Sequence, residues 1–369
     1  MEAHDDGGRS ALRAIAVAAL ALAGLLFAFT PLAERADAVL LDLQWRTLVR
    51  FDARPAPDEI VIVGIDEATV RAIPEPPGLW HAALGRALAR IASAKPRAIG
   101  LEFALPERSY DGVKPGLDRA LFDGLAAAVE SGPFVAVLSI DARTRAAKTI
   151  HLPFLALLGE SRLGINLAAR DADGVTRRFS LVVPTEDGGF PTLEGRLCRA
   201  MKRSCTDGLI HYALGRPFSF VPLQNLLTMD EGLARNLFRD RIVLVGEAQA
   251  FAGRIEVPVN FAAWEEGGSS SPSVVVHAQT LRTALAGAAP QQTRLPIVVV
   301  LLSLAALVYL VRDARMAAMW ALLAGLATLV LSVLALRNGT FVPIAPILLT
   351  LLLAVAARAW VSRRARRVS

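Results

Sequence analysis

Soft metal ligands are scarce in this chain: two cysteines and five histidines in 369 residues. The histidines show no metal-binding spacing, so no metal site of that kind is expected. Catalytic signatures are missing as well. There is no G-x-S-x-G elbow, no phosphate-binding loop and no H-E-x-x-H pair. Without those motif classes the chain does not read as an enzyme, and no cofactor is implied. A basic globular surface is also absent. Residues 34–294 carry 30 Lys+Arg against 30 Asp+Glu, and the other 10 basic and 4 acidic residues give 10 − 4, the whole net charge of +6. That excess lies beside apolar blocks, which removes the nucleic-acid reading that a basic chain first suggests.

Hydrophobic sequence is abundant, at 54% of the chain. It is concentrated in four blocks, Ala14–Leu32, Leu295–Val311, Met316–Leu336 and Phe341–Ala357. Each runs about 17–21 residues without a charge, the length that a bilayer core asks of a helix. Four transmembrane helices are therefore expected, at 14–32, 295–311, 316–336 and 341–357. One segment of globular composition, residues 33–294, lies between the first and the second. Basic residues set the orientation, because they collect on the cytoplasmic side of a bilayer. Arg312 and Arg315 link blocks two and three, and Arg358, Arg363, Arg364, Arg366 and Arg367 follow block four. The tails 1–13 and 358–369 are thus expected in the cytoplasm and the 33–294 domain outside. Ala36-Asp37-Ala38 resembles a signal-peptidase site, but block one is longer than a signal h-region and ends several residues earlier. A retained anchor is the expected outcome.

Within the domain, Ile60–Ala68 reads IVIVGIDEA, a β-branched run that stops on Asp66-Glu67. The shape returns at Ile242–Ala248, at Ala98–Leu101 ending on Glu102, and at Val135–Ile140 ending on Asp141. Apolar runs without alternation suit strands buried on both faces. Trp80, Leu84, Leu88 and Ile91 mark one face of a helix, and Leu117–Val129 and Val274–Leu285 read as two more. The expected fold is α/β, a mixed and largely parallel sheet flanked by helices, plus the transmembrane helices. Gly164–Ala168 and Arg178–Val183 flank the turn Asp171-Ala172-Asp173-Gly174, which predicts an antiparallel hairpin. Phe218–Val221 is another short strand, and Thr192–Met201 should be helical. Ahead of the domain, Val39–Leu48 continues the helical pattern of block one and is expected to dock on the domain as a stalk.

The acids Asp66, Glu67, Glu102, Asp141 and Glu247 end these strands and should gather on one edge of the sheet. Open α/β sheets bind ligands outside that edge, and paired carboxylates suit a metal or a cation. Helix capping is the competing role for such acids. Arg177 and Arg178 suit an anion, although one of two neighbours in a hairpin faces solvent. His277 reads as a packed or capping residue. In an unbroken helix Cys198 and Cys205 would stand about 10 Å apart, beyond the reach of about 7 Å that a disulfide allows. Thr206-Asp207-Gly208 favours a helix end near Lys202–Ser204, and with it a bridge in an oxidising compartment.

Taken in order, these motifs resemble the type-2 CHASE (CHASE2) domain, an extracytoplasmic sensor module of bacterial receptors. The resemblance covers residues 42–287 and rests on IVIVGIDEA, Trp80, Arg97-Ala98-Ile99-Gly100, the Asp111 segment and Asp173-Gly174-Val175-Thr176-Arg177-Arg178. It continues through Ile210-His211-Tyr212 with Gly215, Phe238–Gly246, and Val274-Val275-Val276-His277-Ala278. Three C-terminal membrane helices also follow that family's layout. There are departures. The family's Trp-Pro-Trp-Pro-Arg stretch survives only as Leu79-Trp80-His81, its aromatic-Asp strand end is Leu101-Glu102, and the Pro-Gly pair before His277 is missing.

The resemblance implies a membrane-anchored sensor in a bacterial inner membrane, its large domain facing the periplasm or cell exterior. No output domain follows block four, so signalling is expected to pass to a separate cytoplasmic kinase or cyclase. Besides the lipid bilayer, the expected partner is an unknown small ligand or an envelope protein, with a homo-oligomer left open. A scaffold that binds another envelope protein is the competing class, and an envelope enzyme using the strand-end carboxylates is the third.

Overall fold

The computed structural model describes residues 3–140, 147–184 and 189–368. The chain forms two compact units, residues 53–289 and residues 1–52 together with 290–369.

In the first unit the apolar runs become strands β1 (Ile60–Ile65), β2 (Ala98–Leu101), β3 (Phe134–Leu138), β4 (Leu163–Ile165), β5 (Phe220–Pro222) and β6 (Ile242–Glu247). All six pair in parallel, in the order β4-β3-β2-β6-β1-β5. The two similar motifs lie side by side in register, Ile60 opposite Ile242 and Gly64 opposite Gly246. Helices His81–Ser93 and Leu117–Ser131 cover one face with the short helices Leu152–Leu158, Leu223–Thr228 and Glu231–Phe238. Trp80, Leu84, Leu88 and Ile91 are all buried there, and burying each such side chain contributes roughly 1.5–3 kcal/mol. The two long helices meet backbone to backbone, since a Cβ on Gly124 would stand 2.4 Å from the Gly85 Cα.

The opposite face holds helices Leu193–Ala200 and Ser273–Leu285. The second is buried on nearly every side although it carries His277, Gln279, Thr280, Arg282 and Thr283. Such burial requires that the polar groups be bonded. Gln279 donates to the carbonyls of His211 and Leu214, and Arg282 to those of Leu214 and Arg216. The Arg282 guanidinium also stacks 3.7 Å from the Phe218 ring centre.

The middle of the unit departs from the expected hairpin. Leu163–Ile165 is apolar and buried, so it joins the sheet beside β3. Arg178–Phe179 pairs instead with Gly208–Leu209, and Val182–Val183 with Phe190–Pro191, both antiparallel. The turn at Asp171 forms, Gly174 N donating to the Asp171 carbonyl at 2.9 Å. Side chains rather than strands close it: buried Arg177 is clamped by Asp171 at 3.1 Å and Asp173 at 2.7 Å. The Thr192-capped helix stops at Ala200, and Lys202 turns the chain with φ 56°. Cys198 and Cys205 lie 6.4 Å apart at Cα and are joined as a disulfide.

In the second unit, three helices are long and apolar enough to cross a membrane: Ser10–Ala28, Ala314–Arg337 and Ala345–Arg364. Four were expected. The second block makes an α-helix over Leu295–Ala306 and a 3-10 turn over Leu307–Leu310, a rod of about 26 Å against a bilayer core of about 30 Å. The stalk also differs from its expectation. The chain breaks at Thr30, which caps a new helix, Pro31–Phe51. That helix is held by the apolar helices of its own unit. Asp37 Oδ1 accepts from the Ile344 and Ala345 amides at 2.8 Å each, and Gln44 donates to Ser332 Oγ at 3.1 Å. Gly325, in block three, faces Leu348 and Leu351 of the last helix.

Candidate functional site

Topology places an opening at the carboxyl edge of the sheet. The chain leaves β2 and β3 toward the His81 face, and leaves β4 and β6 toward the His277 face. Where connections part to opposite faces, the strand ends are left uncovered between them. A cleft of about 1380 Å³ occupies that place. Ser139 and Ile140 beyond β3, Asn166 beyond β4, Glu102 beyond β2 and Glu247 of β6 line its floor. Phe103, Leu105, Tyr110 and His81 form the wall on the helical side, and Arg108 and Arg170 are exposed at its mouth.

Glu102 is the most buried of the acids that line the cleft, 6% exposed. Its amide donates to the Val245 carbonyl at 2.7 Å, so the β2–β6 ladder fixes the backbone below the side chain. Gly246 makes room for the carboxyl, because a Cβ there would lie 2.5 Å from Glu102 Oε2 and 2.9 Å from Val274 Cβ. Glu102 Oε1 stands 3.4 Å from Asn166 Nδ2 and 3.6 Å from His277 Nε2. Oε2 has no well-formed hydrogen bond among the described residues. Burial pushes the Glu102 carboxyl up; the His277 charge and hydrogen bonding from the Ser273 and Asn166 side chains oppose it, and the Glu247 charge adds to it.

Behind Glu102 lies a second acid. His277 Nδ1 is 2.5 Å from Glu194 Oε1, in the first turn of the Leu193–Ala200 helix. Burial alone would lower the imidazole, but the Glu194 and Glu102 carboxylates outweigh it and push His277 up to about 9. An imidazole held toward its protonated form thus sits between two buried acids, one of which borders the cleft. His81, buried in the cleft wall, is shifted the other way: burial lowers it, against the pull of Asp118 and Asp111.

The remaining strand-end acids have other places. Asp66 Oδ1 caps the helix Glu67–Ala72, accepting from Thr69 N at 2.8 Å and Thr69 Oγ1 at 2.7 Å. Glu67 accepts from the Ala250 amide at 2.6 Å. Neither lines the cleft. Asp141 lies outside the described residues.

Residues 15–326 match the CHASE2 domain family. The chain belongs to that family. CHASE2 is an extracytoplasmic sensory domain rather than a catalytic one, and with its apolar helices this chain is a membrane sensory protein. No curated protein and no solved structure matches it.

The motifs that carried the resemblance hold this CHASE2 fold together. Trp80 Nε1 donates to the Glu75 carbonyl at 2.6 Å, and the Tyr212 hydroxyl to the Thr176 carbonyl at 2.6 Å. Arg177 is consumed by its two aspartates, and half-exposed Arg178 pairs with Asp171 at 2.8 Å. His277 is packed, as its residue type suggested, but between two acids. Glu194 was not foreseen. A single Glu in a first helical turn reads as dipole complementation, and only the packing of two helices on one sheet face brings it to His277.

Proposed function

We propose that this chain is a membrane receptor whose domain, exposed on the outer side of a bacterial inner membrane, binds a small ligand in the cleft above β2 and β6. The observation that carries this reading is the cleft itself, open at the carboxyl edge and floored by the buried Glu102 and by Glu247. Glu102 communicates through His277 with the Ser273–Leu285 helix, and only nine residues separate that helix from Leu295. A ligand that changes the charge of Glu102 therefore acts on the segment leading to the membrane. A separate cytoplasmic partner, a kinase or cyclase, would read the result.

The reading includes four membrane passes and cytoplasmic termini. Gln291–Gln292 pairs with Thr340–Phe341 at one end of the membrane unit, and Arg358 donates to the Arg312 carbonyl at the other. The short Leu295–Leu310 rod thus runs between the same two ends as the last helix, which supports a fourth crossing by a thinned or tilted span. Alkaline phosphatase fused after Ser369 should be inactive, and the same enzyme inserted in the exposed Gly267-Gly268 loop should be active. The opposite pattern overturns the orientation. For the ligand, Ala104→Trp at the cleft mouth should abolish any thermal shift that a small molecule produces in the full-length protein. A shift that survives it places binding elsewhere.

A further inference from the structure

Charge in the cleft is sorted by depth. At the floor, Glu102 and Glu247 end adjacent strands, and Glu102 Oε2 has no well-formed hydrogen bond among the described residues. The cations near the floor are already taken. Arg254 also lines the cleft, but its two terminal nitrogens each bond Glu265 at 2.7 Å. His277 is held by Glu194. At the mouth the sign reverses. Arg108 and Arg170 are exposed there, while Glu107, the exposed acid beside Arg108, faces Lys148 at 3.6 Å. The described lining thus presents acid below and guanidinium above.

Each end excludes a simple ion. A small anion attracted by the mouth would meet two acidic side chains at the floor and no unpaired cation there among the described lining residues. A simple amine suited to the floor would first pass two cations. We propose that the cleft takes a zwitterionic amine, its ammonium on the Glu102–Glu247 floor and its anionic end toward Arg108 and Arg170. This rests on the cleft being the ligand site. The floor contact decides affinity, because charge-assisted hydrogen bonds strengthen where water is excluded. The arginine contacts are solvated and serve selection more than affinity. A divalent cation is the other chemistry that paired carboxylates can serve. The described residues contain no group of three or more His, Cys, Asp or Glu placed to hold one.

The test uses the full-length protein in nanodiscs, with thermal melting and equilibrium dialysis against matched probes. These are gamma-aminobutyrate with its homologues β-alanine and ε-aminocaproate, then butylamine, butyrate and calcium chloride. At least one amino acid of the series should bind and raise the melting temperature. Butylamine and butyrate should bind more weakly by about tenfold or more, the worth of one charge-assisted bond. Glu102→Gln should weaken the amino acid by a similar factor, and the double substitution Arg108→Ala with Arg170→Ala should erase the discrimination against butylamine. Equal binding of butyrate, a response to calcium alone, or no response to any of the three amino acids overturns the zwitterion assignment. If whichever probe binds is lost in Ala104→Trp, the cleft survives as the site and only the ligand class falls. If Ala104→Trp leaves every response unchanged, both readings fall together.

Discussion

The carboxyl ends of β1 and β2 carry the same sequence signature, an apolar run halting on acid, yet they do opposite things. Over β1 the edge is sealed. The chain beyond β6 folds across it, Ala248 N donating to the Ile65 carbonyl at 2.9 Å and Ala250 N to Glu67. Asp66 is spent on a cap. Over β2 no described segment makes such a closure, and Glu102 is left as a buried acid bordering the cleft. Both strands hand the chain to the same face, so what separates the two is the chain beyond β6, which closes over β1 through Ala248 and Ala250. A carboxylate with backbone amides to satisfy is structural, whereas one left facing a cleft is available to a ligand.

The largest effect expected from this comparison comes from the group behind Glu102. His277→Ala removes the cation between Glu194 and Glu102 and leaves buried carboxyls unanswered, which costs about 3–5 kcal/mol. Denaturant unfolding of the full-length protein measures it. A variant as stable as the parent would mean that the two acids are solvated and that the β2 edge is no more special than the β1 edge. The same contact predicts a pH dependence. Folding raises His277 from its ordinary 6.5 to about 9, so it binds its proton more tightly when folded. Its stabilising contribution is therefore complete below 6.5 and disappears as pH rises through about 9. The unfolding midpoint should fall across that window in the parent and stay flatter in His277→Gln. Parallel curves would assign the alkaline loss to other groups.

Over β1 the expected effect is smaller and of another kind. Asp66→Ala removes an N-cap and should cost about 1 kcal/mol of stability, with ligand affinity unchanged. Lost binding in a variant that still melts cooperatively would show that the sealed edge belongs to the site.

Much of the fold was legible because it follows from burial. Strands packed on both faces need unbroken apolar runs, and all of those runs, β1, β2, β3 and β6, entered the sheet. The Trp80 helix showed because one of its faces is polar. The helix expected at Val274–Leu285 forms as Ser273–Leu285, but the long-range partners of its polar groups were not legible. It buries Gln279 and Arg282 against carbonyls more than sixty residues away, and local periodicity carries no trace of those contacts. The hairpin failed for a similar reason: Asp171 and Asp173 mark a turn, but pairing was decided by β3, which had an edge to offer Leu163–Ile165. In the membrane unit, composition located the blocks, while the 3-10 ending of Leu295–Leu310 has no marker that we can name. At the site, strand-end position alone put Glu102 and Asp66 on equal terms. The order of strands and the course of the chain beyond β6, which no short window contains, set them apart.

The smallest stability effect should come from Glu102→Gln, and its smallness is the sharpest form of the comparison. Burial and the neighbouring Glu247 charge already bias Glu102 toward its protonated form. Gln has nearly the same shape, keeps an acceptor for Asn166, and places a donor where the carboxyl O–H would be. Unfolding free energy should therefore change by less than about 1 kcal/mol, since no buried charge loses its only partner. His277 still has Glu194 at 2.5 Å, but it loses the attraction of the second acid. Its proton should be held less tightly, so the alkaline loss of stability should begin at lower pH than in the parent. Near-parental stability at neutral pH with an earlier alkaline decline would mean that Glu102 tunes His277 without supporting the fold. Such a group is free to trade its proton for a ligand's charge. If Glu102→Gln instead costs as much as His277→Ala, the acid is a structural member of a buried triad, and the difference between the two strand edges disappears.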